Sequence, residues 1–214
     1  IPDRGEKGEF YISVITDAMS GFTFVKCLPT KDTSGITAHM LETISFLETQ
    51  TERKVKRIRT DNGTEYTSAM FRELITGKGI VHEMTAPYTP SDNGAAERRN
   101  QTLIEATRTI LSDGQHNPSL WPHVVRYVCF TQNRTLLKHG KTPFQSIFGY
   151  KPDISNLQAF GSKCWSHIET HQTKLAPKVI EAIFIGYGEH SATYILRTQN
   201  GSTTMSRNAT FERP

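Results

Sequence analysis

Long apolar runs are missing from this sequence. No stretch approaches the roughly 20 residues that a membrane-spanning helix needs. Cysteine is scarce as well. Cys27, Cys129 and Cys164 stand far apart, are odd in number and form no CxxC pair, which argues against a disulfide framework and fits a reducing compartment. No secretory leader, internal repeat or low-complexity tract is recognisable. Neither sign of charge dominates: the net charge is +4 with a pI near 9.0, which permits a nucleic-acid partner without requiring one. With 36% apolar and 21% charged residues, the 214-residue chain is globular, long enough for one domain with a core plus a small satellite.

Residues 9–17 (EFYISVITD) and 22–28 (FTFVKCL) are β-branched and aromatic and predict two strands, with AMSG between them as a hairpin turn. Within 32–50, Ile36, Met40, Ile44 and Leu47 recur at helical spacing. Lys56–Asp61 reads as a strand, 66–78 as a helix stopped near Gly77 and Gly79, and Ile80–Ala86 as a strand. Pro87, Pro90 and Gly94 mark a loop. Helices follow over 95–112, with Ala96, Leu103, Thr107 and Ile110 on one face, and over 119–137. This alternation argues an α/β domain over 1–140. Residues 141–156 read as a packed connector. From Leu157 the texture changes to short strands between polar turns (KCWSHIE, EAIFIGYG, ATYILRT, TTMSRNATF), the pattern of a small β-barrel over 157–214. Trp121 and Trp165 read as core.

Two carboxylates stand where chemistry can form. Asp61 ends a predicted strand just after the basic run RKVKRIR, and strand ends of that kind carry sites in α/β sheets. Asn62-Gly63 then turns the chain. Glu97 lies in the first turn of the 95–112 helix, and one helix, one strand and one loop between the two could return the chain to the same end of the sheet. Each also has a plainer role: an Asp before Asn-Gly forms Asx-turns, and a glutamate three residues after Gly94 suits a capping box.

With their flanks, TDNGTEY (60–66) and PYTPSDNGAAERRNQTL (87–103) resemble the core of the retroviral-type integrases. The run WPHVVRYVCFTQNRTLLKHGKTPFQSIFGYKP, followed by LQAFGSKCW and AIFIGYG, sharpens the resemblance to integrases of copia-type LTR retrotransposons, from about residue 9 to the end. The resemblance implies a ribonuclease-H-like α/β core with a mixed sheet, followed by a small all-β barrel-like domain. It implies phosphodiester cutting and joining with two Mg²⁺ (or Mn²⁺) ions roughly 4 Å apart, held by three carboxylates. Asp61 and Glu97 match the second and third of these ligands. Asn62, Tyr88, Asn93, Arg98 and Arg99 are then candidate DNA contacts. The implied partners are element cDNA ends and host target DNA, with no membrane, handled by a homo-oligomer in the nucleus and in a cytoplasmic virus-like particle.

The family's first metal-binding Asp, on a preceding strand in an H-x-D…Gly-Pro stretch, has no match. Asp17 lies at the hairpin and reads as a turn residue; Asp3 sits in a polar lead-in. The expectation is a chain shortened at its N-terminus, beginning on Ile1 rather than Met, that folds poorly alone and does not catalyse. A decayed or domesticated DNA-binding remnant is the alternative, and the TPFQSIFGYKP connector argues against a simple ribonuclease. On the helix of Glu97, Asn93, Gln101 and Arg108 extend a polar stripe suited to phosphate backbone. Lys54, Lys56, Arg57 and Arg59 add diffuse phosphate attraction. Cys164, His167 and His171 have the spacing of a zinc half-site without a fourth ligand, and read as strand and loop residues.

Overall fold

The computed structural model describes residues 4–85, 94–138, 140–167, 179–188 and 193–212. Alternating β-branched residues form β1 (Tyr11–Thr16) and β2 (Thr23–Leu28), an antiparallel pair with Tyr11 opposite Leu28 and Thr16 opposite Thr23. Asp17 closes this hairpin. Its Oδ2 accepts from the Ser20 N–H at 2.8 Å and the Ser20 hydroxyl at 2.6 Å, and Gly21 takes a φ of +71°. Asp17 is therefore a turn residue.

Helix α1 (Thr33–Thr51) begins at Asp32, whose side chain accepts from the Gly35 N–H at 3.0 Å. Its buried stripe of Ile36, Met40 and Ile44 lies under both the hairpin and a second pair of strands. That second pair, β3 (Arg57–Thr60) and β4 (Val81–Met84), is parallel, and α2 (Thr64–Thr67) and α3 (Ala69–Gly77) make the crossover. The single helix expected over 66–78 is broken at Ser68. That residue is extended, and its Oγ accepts from the Phe71 N–H at 3.2 Å, capping a new helix. Ile15 of β1 and Ile58 of β3 share one core cluster with Met40 and Ile44. Even so, the two strand pairs are not hydrogen-bonded to each other, so β1 and β3 each keep an open edge among the described residues.

On the hairpin's other face lie α4 (Gly94–Asp113) and α5 (Trp121–Gln132). Leu103, Trp121, Val124, Val125 and Val128 pack there against Ile12, Val14, Val25 and Cys27. Trp121 is core, as expected. Helix α5 stops at Gln132, short of the expected 137, because Asn133 turns into the hairpin. Its amide oxygen accepts from the Thr23 N–H at 2.9 Å, and its Nδ2 donates to the Thr23 carbonyl at 2.8 Å.

The connector carries a short helix, α6 (Pro143–Phe148), capped by Thr142. Beyond it, β5 (Lys163–His167), β6 (Val179–Tyr187), β7 (Tyr194–Thr198), β8 (Thr203–Ser206) and β9 (Ala209–Phe211) form one antiparallel sheet in the order β8-β7-β6-β5-β9. A bulge at Gly186, with φ +148°, bends β6. Cys164 faces this unit's core and Trp165 the outside, because neighbours on a strand point to opposite faces. Trp165 is 37% exposed, which corrects its reading as core. The same alternation puts buried Cys164 and exposed His167 on opposite faces, so they cannot share a zinc ion, and His171 lies outside the described residues. The barrel-like unit docks on α5 through stacked Phe130 and Tyr187, 4.1 Å between centroids. Glu6, in the lead-in, pairs with both Arg197 of β7 and His123 of α5.

Two expectations follow. Asn133→Ala leaves the buried Thr23 N–H unpaired and its C=O with only the weak Cys129 thiol donor, and should lower unfolding free energy by about 2 kcal/mol in urea denaturation. Buried His39 and His123 have pKa values pushed down to about 4, by burial first and then by Lys26 for His39 and by Arg126 and Lys7 for His123. A folded pKa below the unfolded value near 6.5 gives stability that is present above that pH and lost as pH falls toward about 4. The melting temperature should drop across that window, and the double change His39→Gln with His123→Gln should flatten the drop.

Candidate functional site

Asp61 follows the last residue of β3, where the parallel pair ends and its backbone groups face outward. The carboxylate forms an Asx-turn: Oδ1 accepts from the Gly63 N–H at 3.1 Å. Asn62 braces the same turn to the end of β4 by donating from Nδ2 to the Thr85 carbonyl at 3.0 Å. Asp61 itself is exposed, so one carboxylate oxygen stays open to solvent on a turn fastened at both ends.

Gly63 is not there for a left-handed turn, since its φ is −56°. It is there for room. A Cβ at this position would stand 2.7 Å from the Glu65 carboxyl carbon, which folds back over the turn. Glu65 is buried, and Lys31 reaches it from the β2–α1 loop, Nζ to Oε1 at 3.0 Å. Burial opposes ionisation of Glu65, but hydrogen bonds from its backbone and from Lys31 prevail and leave its pKa below the usual glutamate value. The Lys31 pKa is raised by its hydrogen bond to Glu65, by the charge of Glu65 and, more weakly, by Asp61 and Tyr11. Asp61, Glu65 and Lys31 thus form one charged group. Its members Glu65 and Lys31 were not singled out in the sequence; the only hint was a glutamate two residues after Asn-Gly.

Glu97 is exposed in the first turn of α4, where a negative charge suits the helix dipole. Arg98 is exposed beside it. Arg99 is half-buried and donates to the Gly21 carbonyl at 3.0 Å, so its guanidinium fastens α4 to the hairpin turn. That turn is at the far end of β1 from Tyr11, the residue near Lys31. Tyr88 and Asn93 lie outside the described residues. Much of the basic run is paired within the fold: Lys54 with Glu48 at 3.1 Å, and Arg57 and Arg59 with Glu83 at 2.9 and 3.0 Å.

Magnesium selects hard oxygen donors, which Asp61 and Glu97 offer. Among the described residues, however, no three His, Cys, Asp or Glu side chains converge into a group able to hold a metal. These residues do not complete a metal site by themselves.

A parallel strand pair ending in an Asp-Asn-Gly turn, helices on both sides of a hairpin, and an appended five-stranded sheet define the integrase-type, ribonuclease-H-like class with an SH3-like satellite. Comparison with known proteins agrees. Residues 1–90 match the integrase core domain model, and residues 162–214 match the retroviral polymerase SH3-like domain model. The chain is 36% identical over 88% of its length to the retrovirus-related Pol polyprotein from transposon TNT 1-94 of Nicotiana tabacum. It is 27% identical over 94% of its length to that from transposon RE1 of Arabidopsis thaliana. It spans 14% of the length of each. The fold resembles the HTLV-2 integrase catalytic core domain in complex with magnesium, with a TM-score of 0.54 and 24% identity, covering 68% of this chain and 89% of that one. It also resembles the simian T-cell lymphotropic virus intasome solved with a PP2A regulatory subunit, with a TM-score of 0.58 and 19% identity, covering 95% of this chain and 72% of that one. The chain belongs to the retroviral-type integrases, in the form carried by copia-type Pol polyproteins.

Gly63→Ala tests the turn. The added methyl meets only the end of the Glu65 side chain, which should swing away from Lys31, so stability in urea should change by less than about 1 kcal/mol while the raised Lys31 pKa, followed by NMR, falls back toward the ordinary lysine value. The change should leave the secondary-structure signal by circular dichroism intact.

Proposed function

We propose that this chain is the part of a copia-type polyprotein that engages element DNA ends and host DNA for Mg²⁺- or Mn²⁺-dependent joining, and that these 214 residues alone do not complete the reaction. The observation that carries the reading is Asp61: an exposed carboxylate on a doubly braced turn at the end of a parallel strand. Glu97 supplies a second hard oxygen donor, and exposed Arg98 next to it suits the phosphate backbone. Incapacity of the isolated chain rests on the ligand count, since Asp61 and Glu97 match two of the three carboxylates that the family's two-metal chemistry uses. It is also supported by the edges of β1 and β3, which lie over one helix and are not hydrogen-bonded to another strand among the described residues. Pairing a further strand there would add to one sheet what are now two. A homo-oligomer would present two such sites to two DNA ends.

The same donor set favours a second reading, a non-catalytic DNA-binding remnant. The two separate in a strand-transfer assay that uses labelled duplex ends, plasmid target and Mg²⁺ or Mn²⁺. The 214-residue chain should bind duplex DNA and transfer nothing. A version extended upstream in its own reading frame should join strands, and Asp61→Asn should abolish joining while leaving DNA affinity within about threefold. Binding without joining by the extended protein would establish the remnant. Joining by the short chain would refute its incapacity.

A further inference from the structure

The feature left unexplained by this reading is the Lys31–Glu65 pair. Its two members differ sharply: the side chain of Glu65 is 7% exposed and that of Lys31 57%. Taking a carboxylate out of water is costly, and pairing it with a lysine that remains in water recovers little of that cost. What the arrangement does accomplish is placement. Glu65 is held by the backbone of α2 and by the room left at Gly63. Lys31 is held at its own end, because the next residue, Asp32, caps α1 and also accepts from the Thr30 hydroxyl at 2.6 Å. A flexible lysine is therefore anchored at both backbone and head. Its ammonium has three donors, of which Glu65 takes one. Lys31 is more than half exposed, and its partner carboxylate lies against Gly63, the residue whose N–H donates to Asp61 Oδ1, so the ammonium stands next to the turn that carries Asp61.

We infer that Lys31 is a phosphate-contacting residue of the Asp61 site, its ammonium set by Glu65 to bind a non-bridging oxygen of a DNA backbone phosphodiester. This rests on the proposed function above and adds to it the residue that would draw the phosphate toward Asp61. An ammonium is a compact point charge suited to such an oxygen, and it carries no sequence preference. Lys31 differs in this from Arg57 and Arg59, which are tied to Glu83 on the exposed strands of the parallel pair.

The test is the salt dependence of binding to a short B-form DNA duplex, followed by fluorescence anisotropy with the wild-type chain, Lys31→Met and Lys31→Arg. Each phosphate contact contributes about 0.9 to the slope of log K against log salt. Lys31→Met should lower the slope by about one and weaken binding uniformly across unrelated sequences, and Lys31→Arg should restore the slope. Melting curves of all three proteins report folding separately. An unchanged slope in Lys31→Met, with wild-type binding intact, overturns the inference and leaves the pair as a fold latch. No DNA binding by the wild-type chain at any salt overturns the proposed function, and this inference with it.

Discussion

The amide of Asn133 holds the molecule's organisation together. A two-stranded hairpin is marginal in water on its own. Here it becomes the middle layer of the core because α1 covers one face and α4 with α5 cover the other. Asn133 fastens the second of these layers by pairing with both backbone groups of Thr23, as a neighbouring strand would, and the Cys129 thiol adds a contact to the same carbonyl at 3.1 Å. Arg99 repeats the device from α4, reaching the Gly21 carbonyl of the adjacent turn. Side chains thus do at the hairpin what sheet hydrogen bonds do elsewhere.

Charge is distributed with a comparable division of labour. Glu48 and Glu83 pair with Lys54, Arg57 and Arg59, three of the five basic residues in the stretch that precedes Asp61. The cation paired with Glu65, on the turn after Asp61, comes from a different segment altogether, the loop between β2 and α1. Lys31 lies 22 residues before the start of the 53–59 run, and periodicity along the chain gives no sign of its link to the Asp61 turn.

Much of this was legible in advance. Hydrophobic period located both hairpin strands, α1, the parallel pair, α4 and the satellite's strands, usually within a residue or two, though TTMSRNATF, read as one strand, is β8 and β9. What failed did so for identifiable reasons. The break at Ser68 is a capping event, and serine is equally at home on a helix surface. The end of α5 is set by a tertiary contact of Asn133, which periodicity does not register. Trp165 looked like core because tryptophan usually is, but its neighbour Cys164 claimed the inward face. Asn62-Gly63 does turn the chain, as read, but the Glu65 carboxylate lying over Gly63 was not legible. At the site, Asp61 was visible through its motif. Glu65 and Lys31 were not, because their partnership joins residues 34 apart with no periodic signal.

The contact between Glu6 and Arg197 joins residues 191 apart, nearly the full length of the chain. Synthesis runs from the N-terminus, so the lead-in emerges from the ribosome long before β7 exists. Until then Glu6 meets Ser119, through its backbone N–H, and His123, and the surface of α5 that receives Tyr187 stands bare. Closure of such long-range contacts is slow and comes late, which makes the nascent core dependent on its last-made portion for protection of its own front end. A translation product that stops within the barrel-like unit would be a poorer catch for folding than its intact core suggests, and a better one for proteases.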